Sequence, residues 1–289
     1  MSESRGSQAA PANILAIDVG SSRVKLGHFV ANENCSSDKP SNALPIAVPR
    51  LPEPIASLTL EHDREFSGRV LEELESWIEE NFQDAPSCFI ASVQPTVTSK
   101  LIQVFKKNGW TVPRQLTWND LPLEVRVEEP SRVGIDRLLN AVAANRLRDP
   151  ELPAIVVDLG TAGTIELISV DGAFEGGAIL PGMSLAARAL HSGTSSLPEF
   201  DVSALNDSIP VVGKSTNEAI AAGLYWGLVG AVCELIERIS SEYQPAPQLF
   251  VTGGAAGHVV GHLSATGVPA RHVPHMVLSA IRLVGEQLR

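Results

Sequence analysis

Cysteine is scarce, with three in 289 residues (Cys35, Cys88 and Cys233), far apart and with no CxxC pair. That excludes a disulfide framework, and it fits a reducing cytoplasm. Aromatic residues are only 5% of the chain, so a core has to be built from Leu, Ile, Val and Ala. Basic residues are outnumbered, 22 against 33 acidic, giving a formal net charge of -11. A surface this acidic repels polyanions, so nucleic acid and anionic membrane surfaces are not expected as partners. The longer apolar stretches are interrupted by charge, Gly or Pro, so no membrane-spanning helix is expected. Residues 1–12 lack the apolar run of a signal peptide and read as a disordered tail.

What is present is a globular balance, 44% hydrophobic and 19% charged, in a chain long enough for two domains. Asn13 to Val19 reads as a strand, Gly20-Ser21-Ser22 as a tight turn, and Arg23 to Val30 as a returning strand. The Pro-, Ser- and Asn-rich stretch from Ala31 to Pro54 reads as a long turn with a short edge strand near Ile46. A helical period covers His62 to Phe82, its glutamates forming a solvated face. Ser87 to Val93 reads as a strand, and Val97 to Lys107 and Val133 to Leu147 as helices. Ala154 to Leu159 then repeats the opening strand, with a glycine turn at Gly160 to Gly163. Strands at Thr164 to Val170 and Ala173 to Leu180 flank an Asp171-Gly172 hairpin turn. A long helix over Thr216 to Tyr243 follows, then a strand at Gln248 to Thr252, and finally short helices with a strand around Pro269 to Val273.

The duplication decides the architecture. Asp18-Val-Gly-Ser-Ser and Asp158-Leu-Gly-Thr-Ala each follow an apolar strand and sit about half a chain apart. This predicts two copies of one mixed α/β unit, residues 13–150 and 151–289, with a boundary near Arg148 to Pro153. In such a turn, Gly lets the backbone approach an anion. Backbone N–H groups and the hydroxyls of Ser21, Ser22 and Thr161 can donate to phosphate, while the aspartate can hold a screening cation. Taken singly, each turn is a plain hairpin with an Asp at its edge; the matched pair favours phosphate binding.

Val212-Gly-Lys-Ser-Thr216 is no Walker A loop, because Ser208 occupies the place of its first glycine. His258 with His262, and His272 with His275, have metal-like spacings but no acidic residue to complete a ligand set. Surface or interface histidines are the expected reading.

Five motifs in order carry a family resemblance: Asp18-Val-Gly-Ser-Ser22, Gly134-Ile-Asp-Arg137, Asp158-Leu-Gly-Thr-Ala162, Gly176-Gly-Ala-Ile-Leu-Pro-Gly182 and Thr252-Gly-Gly254. Together they resemble the type III pantothenate kinases of the acetate and sugar kinase, Hsp70 and actin superfamily. The resemblance implies two RNase H-like, actin-like ATPase domains with a nucleotide cleft between them. It implies phosphorylation of pantothenate by ATP in the first step of coenzyme A synthesis, in a cytoplasmic homodimer. Asp136 is then the general base, with Gly134, Ile135, Arg137 and Thr216 binding substrate. Gly20, Ser21, Ser22, Lys25, Gly160, Thr161, Gly253 and Gly254 bind ATP. Asp18 organises Mg²⁺ through water, and Asp158 holds K⁺ or NH₄⁺. Taken alone, Gly134-Ile-Asp-Arg is equally a helix start with an acid in its first turn, and Thr216 is equally a helix N-cap.

Two departures stand out. Ser21-Ser22 replaces the usual Asn-Thr, and Val127 stands where the family often has a substrate-lining Tyr. The alternatives are another small-molecule kinase of the superfamily and a non-catalytic nucleotide-binding regulator. A regulator has no use for a base such as Asp136. Gly223, Gly227 and Gly230 permit close helix packing, either within the chain or across a dimer.

Overall fold

The computed structural model describes residues 13–30, 49–62, 68–205 and 209–289. The expected N-terminal tail and the edge strand near Ile46 lie outside the described residues. Two compact units emerge, but they are not consecutive halves of the chain. The first takes the described residues up to Pro122, Gly134–Leu139 and Met276–Arg289; the second takes Leu123–Val133 and Asn140–His275. Arg148 to Pro153, where the sequence suggested a boundary, lies inside the second unit.

The first unit is built on a five-stranded sheet. Its strands are β1 (Ile14–Val19), β2 (Arg23–Phe29), β3 (Ala56–Glu61), β4 (Ser87–Ser92) and β5 (Arg114–Gln115), in the order β3-β2-β1-β4-β5. The β1–β2 and β2–β3 pairs are antiparallel, and β1–β4 and β4–β5 are parallel. Alternation along β1 sends Leu15, Ile17 and Val19 into a core with Val24 and Leu26. Leu74 and Ile78 of α1 (Gly68–Asn81) and Val97, Leu101 and Phe105 of α2 (Pro95–Lys107) complete it. The helix expected from His62 begins, as described, at Gly68. His62 instead ends the β3 segment, where its Nε2 meets the Gly20 carbonyl oxygen at 3.1 Å.

The second unit repeats this plan. Its strands β6 (Ala154–Leu159), β7 (Ala162–Ile168), β8 (Phe174–Pro181), β9 (Gln248–Thr252) and β10 (Ala270–His272) run in the order β10-β9-β6-β7-β8. Again the first strand is antiparallel to the second and parallel to the fourth. Strand for strand this is the topology of the first unit, so the duplication read from the two Asp-x-Gly turns extends to whole sheets. Ile155, Val157 and Leu159 pack on one face. Leu228, Val232 and Ile236 of α5 (Thr216–Ser241) and Val259 and Leu263 of α6 (Ala256–Ala265) cover them.

α3 (Ile135–Leu147) gives its first residues to the first unit and the rest to the second. α4 (Met183–Ser192) follows β8, where the sequence reading assigned no helix. α7 (Met276–Gln287) closes the chain on the first unit's sheet, with Leu278, Ala280 and Ile281 buried and Gly285 against the Phe89 ring. α5 departs from expectation in one respect. By length and composition it is apolar enough to cross a membrane, although its inner face belongs to the core.

Candidate active site

In the first unit, Asp18 lies near the carboxyl end of β1, nearly buried, opposite Lys25 of β2. Their side chains form an ion pair at 3.7 Å. Lys25, expected beside the nucleotide, therefore has the Asp18 carboxylate as a partner. Beyond Val19 the chain turns through Gly20 to Ser22, and the Gly20 N–H donates to the Arg23 carbonyl at 2.9 Å. That donor is thus used inside the turn. Ser21 is exposed and Ser22 half-buried, so they are the residues of this turn best placed to meet a phosphate. The shape of the turn is held from β3 by the His62 ring on Gly20 and by the His62 N–H on the Ser22 carbonyl at 3.0 Å.

The same end of that sheet carries the Gly134-Ile-Asp-Arg motif. Val93, one residue past β4, donates its N–H to the Val19 carbonyl, and a Cβ placed on Gly134 would lie 3.7 Å from the Val93 side chain. Asp136 sits in the first turn of α3, where a carboxylate complements the helix dipole. Its Oδ1 accepts from the Arg137 N–H at 2.9 Å. A Cβ on Gly134 would stand 2.5 Å from that same oxygen. A side chain at this position would therefore displace the Asp136 carboxylate. Ile135 buries its side chain, which leaves only its backbone to face a ligand.

In the second unit the Asp158 turn is one residue shorter. Val19 pairs with Val24 in the first turn, whereas Leu159 pairs with Gly163 in the second. The Gly160 N–H donates to the Ala162 carbonyl at 3.1 Å, and Thr161 is half-buried beside it. Two distant motifs close on this turn. Gly182, the last residue of the Gly-Gly-Ala-Ile-Leu-Pro-Gly stretch, donates to the Thr161 carbonyl at 3.1 Å, and a Cβ there would fall 2.2 Å from the Gly160 oxygen. Gly253, at φ +94°, would place a Cβ 2.5 Å from the Leu159 nitrogen. Gly254 beside it is exposed. The motifs are thus coupled by backbone contact within one unit, which their spacing in the chain does not reveal.

Asp158 is half-buried, and Asn140 of α3 donates its Nδ2 to Asp158 Oδ2 at 3.0 Å. Asn140 is a residue the sequence reading missed. The available signal was its position four residues after Asp136, on the same side of one helix.

Other expected residues fall as follows. Thr216 is the first residue of α5 and exposed. The N-cap is Ser215, whose Oγ accepts from the Glu218 N–H at 3.2 Å, so capping does not account for Thr216. Val127 lies in contact distance of Gly176, 3.5 Å from a Cβ built there. The segment before it pairs with β8, with the Arg126 N–H on the Phe174 carbonyl and the Phe174 N–H on the Glu124 carbonyl, each at 2.9 Å. Arg126 anchors that segment through Glu124, Asp171 and Glu175. The Arg126 guanidinium, with help from the Ser169 hydroxyl, pulls the Asp171 carboxyl down to about 2. His258 and His262 pack edge-on against Tyr225 and Trp226.

The family model for type III pantothenate kinase matches residues 14–238. The chain belongs to the type III pantothenate kinases. An enzyme of that name from Desulfosudis oleivorans is 36% identical over 203 residues, spanning 70% of this chain and 77% of that protein. One from Persephonella marina is 32% identical over 198 residues, 68% and 74% of the two chains. Among solved structures, the activator of 2-hydroxyisocaproyl-CoA dehydratase from Clostridium difficile, with bound ADPNP, aligns at a TM-score of 0.51 and 14% identity over 95% of each chain. The ethanolamine utilization protein EutJ from Carboxydothermus hydrogenoformans aligns at 0.52 and 14% identity, covering 96% of this chain and 89% of that one. Those likenesses concern the fold, which is the actin-like ATPase fold carried here by a pantothenate kinase family member.

Proposed function

We propose that this chain transfers the γ-phosphoryl group of ATP to the 4′-hydroxyl of pantothenate, the opening step of coenzyme A synthesis, with Asp136 as the general base. The observation that carries this is the Asp136 carboxylate. It is fixed by the Arg137 N–H, given room by Gly134, and set at the end of the sheet that also bears the Gly20–Ser22 turn. The hydroxyl proton passes to Asp136 as the oxygen attacks the γ-phosphorus. The bond from phosphorus to the β,γ-bridging oxygen breaks, and ADP leaves. Most of the acceleration in such a transfer comes from positioning and charge stabilisation.

Ser21, Ser22 and Thr161 donate to the phosphates, Lys25 adds positive charge, and Gly253 and Gly254 leave space for the flat base. Arg137 pairs bidentately with the pantothenate carboxylate, and Thr216 contacts the same substrate. Asp18 suits Mg²⁺ held through water, being a nearly buried carboxylate beside a phosphate turn. Bound there, the metal supplies charge neutralisation to the phosphates. Asp158 suits K⁺ or NH₄⁺, because among the described residues its carboxylate takes its side-chain hydrogen bond from the neutral Asn140 amide and no cationic side chain pairs with it.

The protein acts as a cytoplasmic homodimer without nucleic acid or membrane partners. Gly223, Gly227 and Gly230 support the dimer, since a Cβ at each would meet nothing within 4 Å. Close packing among the described residues therefore does not explain them, which supports contact with a second copy.

The test is ADP release with pantothenate, in K⁺ and then in Na⁺ alone, on wild type and Asp136→Asn. Wild type should need pantothenate and K⁺. The variant should lose about 10²- to 10⁴-fold in kcat while binding ATP normally. Wild-type turnover by Asp136→Asn removes the assignment.

A further inference from the structure

Strand alternation places Asp158 on the face of the second sheet away from Val157 and Leu159, which belong to the α5 and α6 core. On that other face Asp158 pairs across β7 with Thr164, and Glu166, wholly buried, stands two residues further along the strand. The described side chain that bonds Asp158 on this face is the amide of Asn140. Asn140 is 1% exposed. Its orientation follows from chemistry: a carboxylate accepts, so the amide presents Nδ2 to Asp158 Oδ2 and turns its oxygen elsewhere. That oxygen, Oδ1, is buried and has no hydrogen-bond partner. An orphaned carbonyl oxygen in such a place is costly unless something electropositive meets it.

We propose that Asn140 is a positioning residue with two duties, orienting Asp158 through Nδ2 and offering Oδ1 as a neutral oxygen ligand to the monovalent cation that Asp158 holds. The inference rests on the cation reading of Asp158 given above and extends it to a residue that reading did not contain. A carboxylate joined by a neutral carbonyl oxygen suits a weakly hydrated monovalent ion, whose water shell carbonyl oxygens replace. Divalent cations demand more charge or retain their own water. Because Asn140 lies four residues beyond Asp136 on α3, the helix that carries the base also carries this ligand.

The experiment uses the full chain without nucleotide. Melting temperature is followed as KCl replaces choline chloride at constant ionic strength, in wild type, Asp158→Asn, Asn140→Leu and Asn140→Asp; K⁺ activation of turnover is measured in parallel. Wild type should be stabilised by KCl and Asp158→Asn should not. Asn140→Leu, which removes both donor and oxygen, should need about ten- to a hundredfold more KCl for half its effect. Asn140→Asp keeps an oxygen and gains charge. Its KCl midpoint should fall below wild type, while turnover drops about tenfold for want of the N–H that orients Asp158. A wild-type midpoint in Asn140→Leu overturns the proposal. Should that variant fail to fold, unaltered midpoint and turnover in Asn140→Asp do so equally. If wild type itself shows no response to KCl, the cation reading of Asp158 falls first and the role of Asn140 with it.

Discussion

Gly134 leaves room for a neighbour's carboxylate. In Gly134→Ala the new methyl group would contest the space of Asp136 Oδ1, 2.5 Å away, and the side chain with more freedom to move is Asp136. A catalytic group misplaced by about an ångström loses on the order of a hundredfold in rate. The expected result is a kcat lowered about that much with a melting temperature within a few degrees of wild type, read by steady-state kinetics and thermal denaturation. His28 makes a different kind of prediction. It is buried in β2 against Phe82, ring centroids 4.2 Å apart, and neither ring nitrogen has a hydrogen-bond partner among the described residues. Burial disfavours the charged form and lowers its pKa from the ordinary 6.5. The unfolded chain therefore binds the proton more readily. The stability that neutral His28 contributes is complete above pH 6.5 and is lost as pH falls from there toward the lower folded-state value. His28→Phe should flatten the dependence of melting temperature on pH below 6.5.

At the scale of the element, α5 combines a buried side with a bare one. Leu228, Val232 and Ile236 enter the core, while Gly223, Gly227 and Gly230 are exposed with open space around them. Glycine in a helix interior costs about 1 kcal/mol relative to alanine, so three on one helix call for a reason outside the isolated chain. Gly227→Glu should turn the proposed dimer into a monomer by sedimentation velocity, with helix content by circular dichroism unchanged. Retention of the dimer would assign these glycines no role in assembly. The paired hairpins teach a second point about elements. Each begins with an apolar strand and an Asp-x-Gly turn, and the sequence locates all four strands to within two residues. The turns still differ, because the closing N–H of Gly20 reaches three residues on and that of Gly160 only two.

Taken as a whole, the molecule returns its last helix to its first unit. α7 buries Met276, Val277, Leu278, Ile281 and Val284 there, and Gly285 lies against Phe89 of β4. Each large apolar side chain contributes about 1.5–3 kcal/mol by burial, and the sum rivals the 5–15 kcal/mol by which a typical domain is stable. Deletion of residues 276–289 should abolish cooperative melting of the first unit, seen as loss of a calorimetric transition, though the second unit's strands are all retained. The sequence by itself determined the duplicated α/β architecture, the central strands and the residues of both turns, because strand alternation and turn chemistry are local and act over a few positions. Asp136 was marked only through the resemblance carried by Gly134-Ile-Asp-Arg137, because an acid in a helix's first turn is by itself equally a plain helix start. Edge elements such as β3 and the two-residue β5 escaped, since their pairing partners and not their own residues make them strands. Only the tertiary structure decided that α7 belongs with β1 and β4, that Gly182 and Gly253 close on the Asp158 turn, and that Asn140 holds the Asp158 carboxylate. Those are contacts between segments distant in the chain, and no local periodicity encodes which distant backbone will come to lie against which.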